Sequence, residues 1–314
     1  MAWDLIGAPS SAGAHTPGVE SAPAALRAAG LVDLIRAVTP IEDLGDVPGF
    51  RWRPDIPRPR AQNADAVARV AGDVADRVAA SLDRQRVPLV LGGDCTVTIG
   101  LVAGLARTGS APVLVYVDGG PDLYTPETRA HGNLDAMGLA HMLGLPGHHP
   151  AVASVGPYVP LLTPDRVVVY GDELPAGDHE RDLVDQLGLA YVPGEEVHAD
   201  LAGAAWRART LAESAGPAFV VHFDVDVLRF AEAPLADVPE PFGLTLAEAA
   251  TTLATLVASP RFAGLSVTEI NPHHLPDATV LPRFVHALAE ALTRTDPGGP
   301  MSSGRSAGLC TDNT

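Results

Sequence analysis

Short runs of Val, Leu and Ile alternate along this chain with longer Ala-rich stretches in which apolar residues recur at helical spacing. The short runs predict strands at residues 4–8, 88–91, 113–117, 167–170, 189–192, 219–223 and 265–268. The longer stretches predict helices near 22–38, 63–84, 96–107, 134–143, 201–215, 246–258 and 279–293. Strands that are apolar at nearly every position must be covered on both faces. Their alternation with helices argues for βαβ units, and so for an α/β protein with a mainly parallel central sheet between two helical layers. Two Pro-rich connections, 50–59 and 145–164, interrupt this rhythm without a change in composition that would divide the chain. One domain over 1–295 is expected, with a polar, Gly/Ser-rich tail at 296–314 of disordered composition.

Composition narrows the possible partners. The formal net charge of −17 disfavours nucleic acid and anionic membrane surfaces, both of which would be repelled. No apolar run approaches the roughly 20 residues of a membrane span, and the first residues lack the pattern of a signal peptide. A cytoplasmic protein acting on a small molecule is therefore expected. All 21 basic residues are arginine, so Schiff-base and lysine general-base chemistry are excluded. The two cysteines, Cys95 and Cys310, make no disulfide framework.

Ligands of open parallel sheets bind beyond the carboxyl ends of the strands. Four predicted strands run directly into polar residues there: VLGGDC at 90–95, VYVDGGPD at 115–122, VHFDVD at 221–226 and VTEINP at 267–272. These segments would bring Asp94, Cys95, Asp118, Asp122, Asp224, Asp226 and Glu269 to one rim. So many carboxylates cannot all remain ionised without a bound cation, an arginine partner or protonation of some members. A single Asp after a strand is as readily a helix cap; four at two strand ends point to a site.

Taken together, GGDC at 92–95, DGGPD at 118–122, DVDVL at 224–228 and EINP at 269–272 resemble the arginase/agmatinase (ureohydrolase) superfamily in order and approximate spacing. The opening segment 5–31, DLGDV at 43–47 and the stretch 123–137 are similar as well, so the resemblance spans roughly residues 4–293. It implies an arginase-like fold, a trimer or hexamer, and a pocket where two Mn²⁺ ions bridged by hydroxide attack a guanidinium-like carbon. It also implies that Asp118, Asp122, Asp224 and Asp226 stand where the carboxylate ligands stand. Glu269 takes the place of the glutamate that contacts the guanidinium. Asn133, with neighbouring Tyr124, belongs to the substrate loop.

The departures point elsewhere. Cys95 replaces one ligand histidine and Gly120 the other; Asp135 replaces a substrate-loop histidine; Arg229 and Phe230 stand where Asp-Pro is usual. A thiolate with Asp118, Asp122 and Asp224 leans toward Zn²⁺, Co²⁺ or Fe²⁺ rather than Mn²⁺. A second ion would keep only Asp118, Asp224 and Asp226. The expectation is therefore no metal, or one weakly held divalent ion (Mn, Zn or Co), and not a binuclear Mn centre. Arg229 is expected to replace the lost positive charge by pairing with the Asp cluster. His131 and Asp135 are the candidate acid–base groups, beside Asp118, Asp122 and Glu269. His141 reads as a core or helix-surface residue, and the pairs at 148–149 and 273–274 as loop residues. Three functions fit: a ureohydrolase-like enzyme repurposed for acid–base chemistry in biosynthesis, an atypical metal-dependent amidinohydrolase, or a non-catalytic subunit.

Overall fold

The computed structural model describes residues 1–294; the expected disordered tail lies outside the described residues. Eight strands form one sheet: β1 (Trp3–Gly7), β2 (Ile41–Asp46), β3 (Val87–Leu91), β4 (Val113–Val117), β5 (Val167–Tyr170), β6 (Ala190–Val192), β7 (Phe219–Asp224) and β8 (Phe262–Thr268). Helices α1 (Ala22–Ala28), α2 (Leu31–Arg36), α3 (Ala64–Asp83), α4 (Val97–Arg107), α5 (Gly138–Met142), α6 (Pro150–Ala153), α7 (His179–Leu187), α8 (Gly194–Ala199), α9 (Leu201–Ala215), α10 (Leu246–Val257) and α11 (Val280–Thr293) connect them. Every strand pair is parallel, in the order β2-β1-β3-β8-β7-β4-β5-β6. The three-layer α/β/α architecture is as expected.

Two apolar clusters line the two faces of the sheet. Alternate residues of one strand serve opposite faces: Val115 and Val221 pack in one cluster, while Leu114, Tyr116 and Val220 pack in the other. Helices α9, α10 and α11 cover the first face; α3 and α4 cover the second. The α3–α4 contact is close because Gly100 and Gly104 face it. An added Cβ would come within 2.5 Å of Ala71 O at Gly100 and 2.4 Å of a Val78 methyl at Gly104. That close seat fixes α4, and with it the turn that carries Cys95.

Three of the departures from the apolar pattern have a plain physical reason. β2 has the polar sequence IEDLGD and only its first residue is buried, because it is an edge strand held by main-chain pairing with β1. The expected helix over 22–38 is two helices: Gly30 takes a left-handed conformation (φ 91°) between α1 and α2, where glycine is at ease. Helix α7 was not expected; it buries only Glu180 and Val184, and Asp178 caps it through the N–H groups of Glu180 and Arg181.

Candidate active site

The four polar segments belong to β3, β8, β7 and β4, and these are consecutive neighbours at the middle of the sheet. With strands roughly 4.8 Å apart, their ends fit within ~15 Å. Register sharpens this. Val117 pairs with Phe223 and Asp224 with Thr268, so Asp118 and Asp224 leave adjacent strands at the same level. Glu269 donates its N–H to Gly93 O (2.8 Å), closing the β8–β3 end.

At this rim lies a cavity of about 230 Å³ whose lining includes Cys95, Asp118, Asp122, Asp135, Asp224, Asp226 and Glu269. The carboxylates are held by backbone donors and by one another's neighbours. Asp118 Oδ1 accepts from Gly120 N–H (2.8 Å), Asp226 Oδ1 from Gly119 N–H (3.0 Å) and Asp224 Oδ1 from Asp226 N–H (2.8 Å). The Cys95 thiol donates to Asp224 Oδ2 (2.6 Å), and Cys95 N–H donates to Glu269 Oε1 (3.0 Å). Tyr116 donates its hydroxyl to Asp122. Asp122 (φ 51°) and Glu269 (φ 64°) both sit in the left-handed region. Such backbone costs a side-chain-bearing residue of order 1 kcal/mol or more, and it clusters at functional sites.

Electrostatics follow from crowding, with no arginine paired to these carboxylates among the described residues. Burial, then the charges of Asp226 and Asp122, hold Asp118 well above the usual carboxylate range; burial and Asp226 do the same for Asp224. Glu269 and Asp122 are raised likewise, by burial first and then by neighbouring carboxylates. Asp135 is pushed up to about 7 by burial and Asp94. The Cys95 thiol is held well above its ordinary value by burial and the charges of Asp224 and Glu269, so among protons alone it is a thiol.

Several members of the site escape a linear reading. Glu180 enters the cavity from α7, accepts Leu123 N–H (2.7 Å) and is pushed up to about 7 by burial. Its signal was the i, i+4 spacing to Val184, which places both on the buried face. His222 is fully buried beneath the carboxylates, with Nε2 at 3.0 Å from Asp118 Oδ2 and its ring stacked on Tyr116 (centroids 4.1 Å apart). It lies two residues before Asp224, hence on the same face of β7. Arg129 lines the cavity; its Nε donates to Asn133 Oδ1 (3.0 Å) and its guanidinium lies over the Tyr124 ring (4.7 Å). Among the described residues Arg129 makes no ion pair. His15 and Glu240 complete the wall; no pattern in the sequence marks either.

Other expected residues fall differently. Asn133 and Asp135 are brought together, with Asn133 Nδ2 donating to Asp135 Oδ1 (2.6 Å). Tyr124 stands behind Arg129 and supports it. His131 is exposed and packs against His15 (ring centroids 6.0 Å) without lining the cavity. Arg229 is a correction: it does not reach the Asp cluster. A 3₁₀ turn at Val225–Val227 redirects the chain, Arg229 N–H donates to Leu244 O (2.8 Å), and its side chain borders a separate depression with Arg283 and Asp277. His141 is a core residue, bonded through Nδ1 to Met137 O and through Nε2 to His149 N–H.

Comparison with known proteins bears on the family and the fold. Residues 2–291 match the family described as the arginase family. The chain is similar to the arginase of Bacillus caldovelox, with 32% identity over 273 residues, which cover 85% of this chain and 90% of that protein. It is similar to arginase-1 of Homo sapiens, with 30% identity over 274 residues, covering 85% and 84% respectively. The solved native structure of the Bacillus caldovelox arginase at pH 5.6 superposes with a TM-score of 0.83 at 27% identity, over 95% of this chain and 99% of that one.

Proposed function

The chain belongs to the arginase family, and we propose that it is an enzyme of that family whose two-ion centre is degenerate and whose chemistry is acid–base. The substrate is a small molecule that presents a cationic C–N group, a guanidinium or a related amidine, to the carboxylate basin. The observation that carries this reading is the collection of Asp118, Asp122, Asp135, Asp224, Asp226 and Glu269 around a cavity whose one arginine, Arg129, pairs with none of them. A basin of this kind stabilises a cation, and a structural relic has no reason to retain the repulsion.

The donor set does not fit the two manganese ions that the family resemblance implies. Gly120 offers no side-chain ligand. A Cβ built there would meet only Glu180 Oε2, at 3.7 Å, so open space stands where an imidazole would reach. No step is therefore assigned to a binuclear centre. Asp135, with its pKa near 7, gives and takes protons at neutral pH; both of its hydrogen bonds, from Asn133 and Ala136, use Oδ1. Glu269 uses Oε1 to hold the Cys95 turn, and its other oxygen serves the cationic group. Arg129 stays available for an anionic group of the substrate. In the same reading the protein is a cytoplasmic homo-oligomer that serves a biosynthetic reaction.

Metal content and urea release test this together. Protein purified without chelator is expected to carry fewer than two ions per chain and to release no urea from L-arginine. Two Mn²⁺ per chain with brisk urea release would overturn the reading. Restoring imidazoles is the complementary test: the double variant Cys95→His, Gly120→His is expected to tighten Mn²⁺ binding at least roughly tenfold, or about 1.4 kcal/mol. Calorimetric titration with Mn²⁺ reads this, and unchanged affinity would mean that the missing histidines are not what weakens the site.

A further inference from the structure

His222 is a titratable side chain under the cavity that the acid–base reading leaves without work. It is fully buried in β7, and its ring is fixed in plane by the stack on Tyr116. Its Nδ1 lies 2.6 Å from Thr98 Oγ1, which in turn lies 2.8 Å from Ser266 Oγ. A hydroxyl in that place serves either tautomer. It can accept from Nδ1–H while donating to Ser266, which frees Nε2 as a lone-pair donor pointing at the cluster.

Around that nitrogen the fold gathers three further donors. One ligand atom each from Cys95, Asp118, His222 and Asp224 all lie within 4.8 Å of one another, and all four residues are buried. Tetrahedral bonds of 2.0–2.3 Å place ligand atoms about 3.3–3.8 Å apart. The closest pairs are now at hydrogen-bond distance, 2.6 Å from Cys95 Sγ to Asp224 Oδ2 and 3.0 Å from His222 Nε2 to Asp118 Oδ2. Both contacts hold a proton that a cation would displace, with a modest outward movement of each pair. The charge also matches. A thiolate and two carboxylates lack any basic side chain in salt-bridge contact among the described residues, apart from the neutralisable His222 itself.

We infer that Cys95, Asp118, His222 and Asp224 form a four-donor site for one thiophilic divalent ion, Zn²⁺ or Co²⁺. The ligands come from the ends of β3, β7 and β4, with β8 between β3 and β7, and the imidazole is supplied from beneath the cavity. A sulfur and an imidazole nitrogen select these ions over Mn²⁺, which suits oxygen donors. Thr98 is the outer partner that sets the imidazole's tautomer, in the way ligating histidines are ordinarily oriented. Binding releases the Cys95 proton and the shared His222–Asp118 proton. Asp122, Asp135, Asp226 and Glu269 remain outside the ligand set, free to handle substrate protons. The inference rests on the reading of this pocket as a working site, but it is tested without substrate.

The full chain, stripped of metal by chelator and titrated with Co²⁺ alone, is the experiment. One ion per chain is expected. It should bring a thiolate-to-cobalt charge-transfer band in the near ultraviolet and the intense visible bands of a four-coordinate ion. Cys95→Ser should lose the charge-transfer band, and His222→Gln should weaken binding by at least roughly 10–100-fold. Zn²⁺ should displace the Co²⁺ at stoichiometric amounts, whereas Mn²⁺ in roughly hundredfold excess should not. Two ions per chain, weak six-coordinate bands, a charge-transfer band retained in Cys95→Ser, or unchanged affinity in His222→Gln would each overturn the site. Should both variants fail to fold, the Zn²⁺/Mn²⁺ competition on the unaltered chain decides alone. Because the readout is spectroscopic, a failed turnover assay and a failed metal site are separate results.

Discussion

Asn in place of Asp224 is expected to abolish most turnover, by roughly 10²–10⁴-fold, while making the metal-free protein more resistant to heat at mildly alkaline pH. The two effects have one cause. Asp224 sits at the centre of the cluster, touching Cys95 Sγ and Asp226 N–H, and its pKa is held well above the ordinary range by burial and by Asp226. Above the pH where an unfolded aspartate ionises, the folded chain must either keep Asp224 protonated or bear its repulsion. Keeping it protonated costs about 1.4 kcal/mol for each pH unit up to the folded pKa, above which the repulsion is borne at a constant cost. Asparagine removes that cost and keeps the Oδ1 that accepts Asp226 N–H. A rise of roughly 2 °C per kcal/mol regained follows for a chain of this size. Parallel melting curves and turnover of a substrate drawn from a guanidine panel would check it. A variant that melts lower, with or without activity, would show that the Asp224 carboxyl stabilises the fold and that the cluster stores no repulsion.

The stability of the metal-free protein is expected to fall as pH rises from about 5 to about 8, the reverse of what paired carboxylates produce. The sign follows from proton counting. Asp135 and Glu180 have folded pKa values of about 7, and Asp118, Asp122, Asp224 and Glu269 are held well above the ordinary carboxylate range by burial and neighbouring carboxylates. Unfolded carboxyls titrate near 4. Between those limits the folded chain binds more protons than the unfolded one. The stability is thus fully present below the unfolded pKa and is lost as pH climbs through the folded values, at about 1.4 kcal/mol per pH unit for each group involved. A divalent ion should offset part of the loss: at a concentration 100 times its Kd it adds about 2.7 kcal/mol. Melting temperature against pH, with chelator and then with Zn²⁺, measures both parts. A melting temperature that climbs through this range in chelator would rule out the protonated cluster.

Strands β3, β4, β5, β7 and β8 announce themselves because they are apolar on both faces, and helices α3, α9, α10 and α11 because their apolar residues recur at helical spacing. β2 does not, since an edge strand can be held by main-chain pairing alone and IEDLGD carries no pattern. Asp118, Asp122, Asp224, Asp226, Glu269 and Cys95 could be placed on one rim from sequence, because each lies within a few residues of the end of a recognisable strand, and the structure gathers them around one cavity. Arg229 was misplaced for a reason the linear chain hides: three residues past a strand end, a single 3₁₀ turn decides whether a side chain faces the cavity or leaves it.

What the sequence by itself determined is the class of fold and the four polar segments that end its central strands. These depend on residue type and periodicity, which are local properties. What only the tertiary structure decided is the company those residues keep. Sheet order sets β3, β8, β7 and β4 side by side, so four segments scattered over residues 90–272 end within reach of one another. Packing of α7 against the sheet turns Glu180 inward, and the stack on Tyr116 turns His222 up toward Asp118. Contacts of this kind join residues far apart in the chain, and they depend on strand order and side-chain direction, neither of which has a signature in local composition.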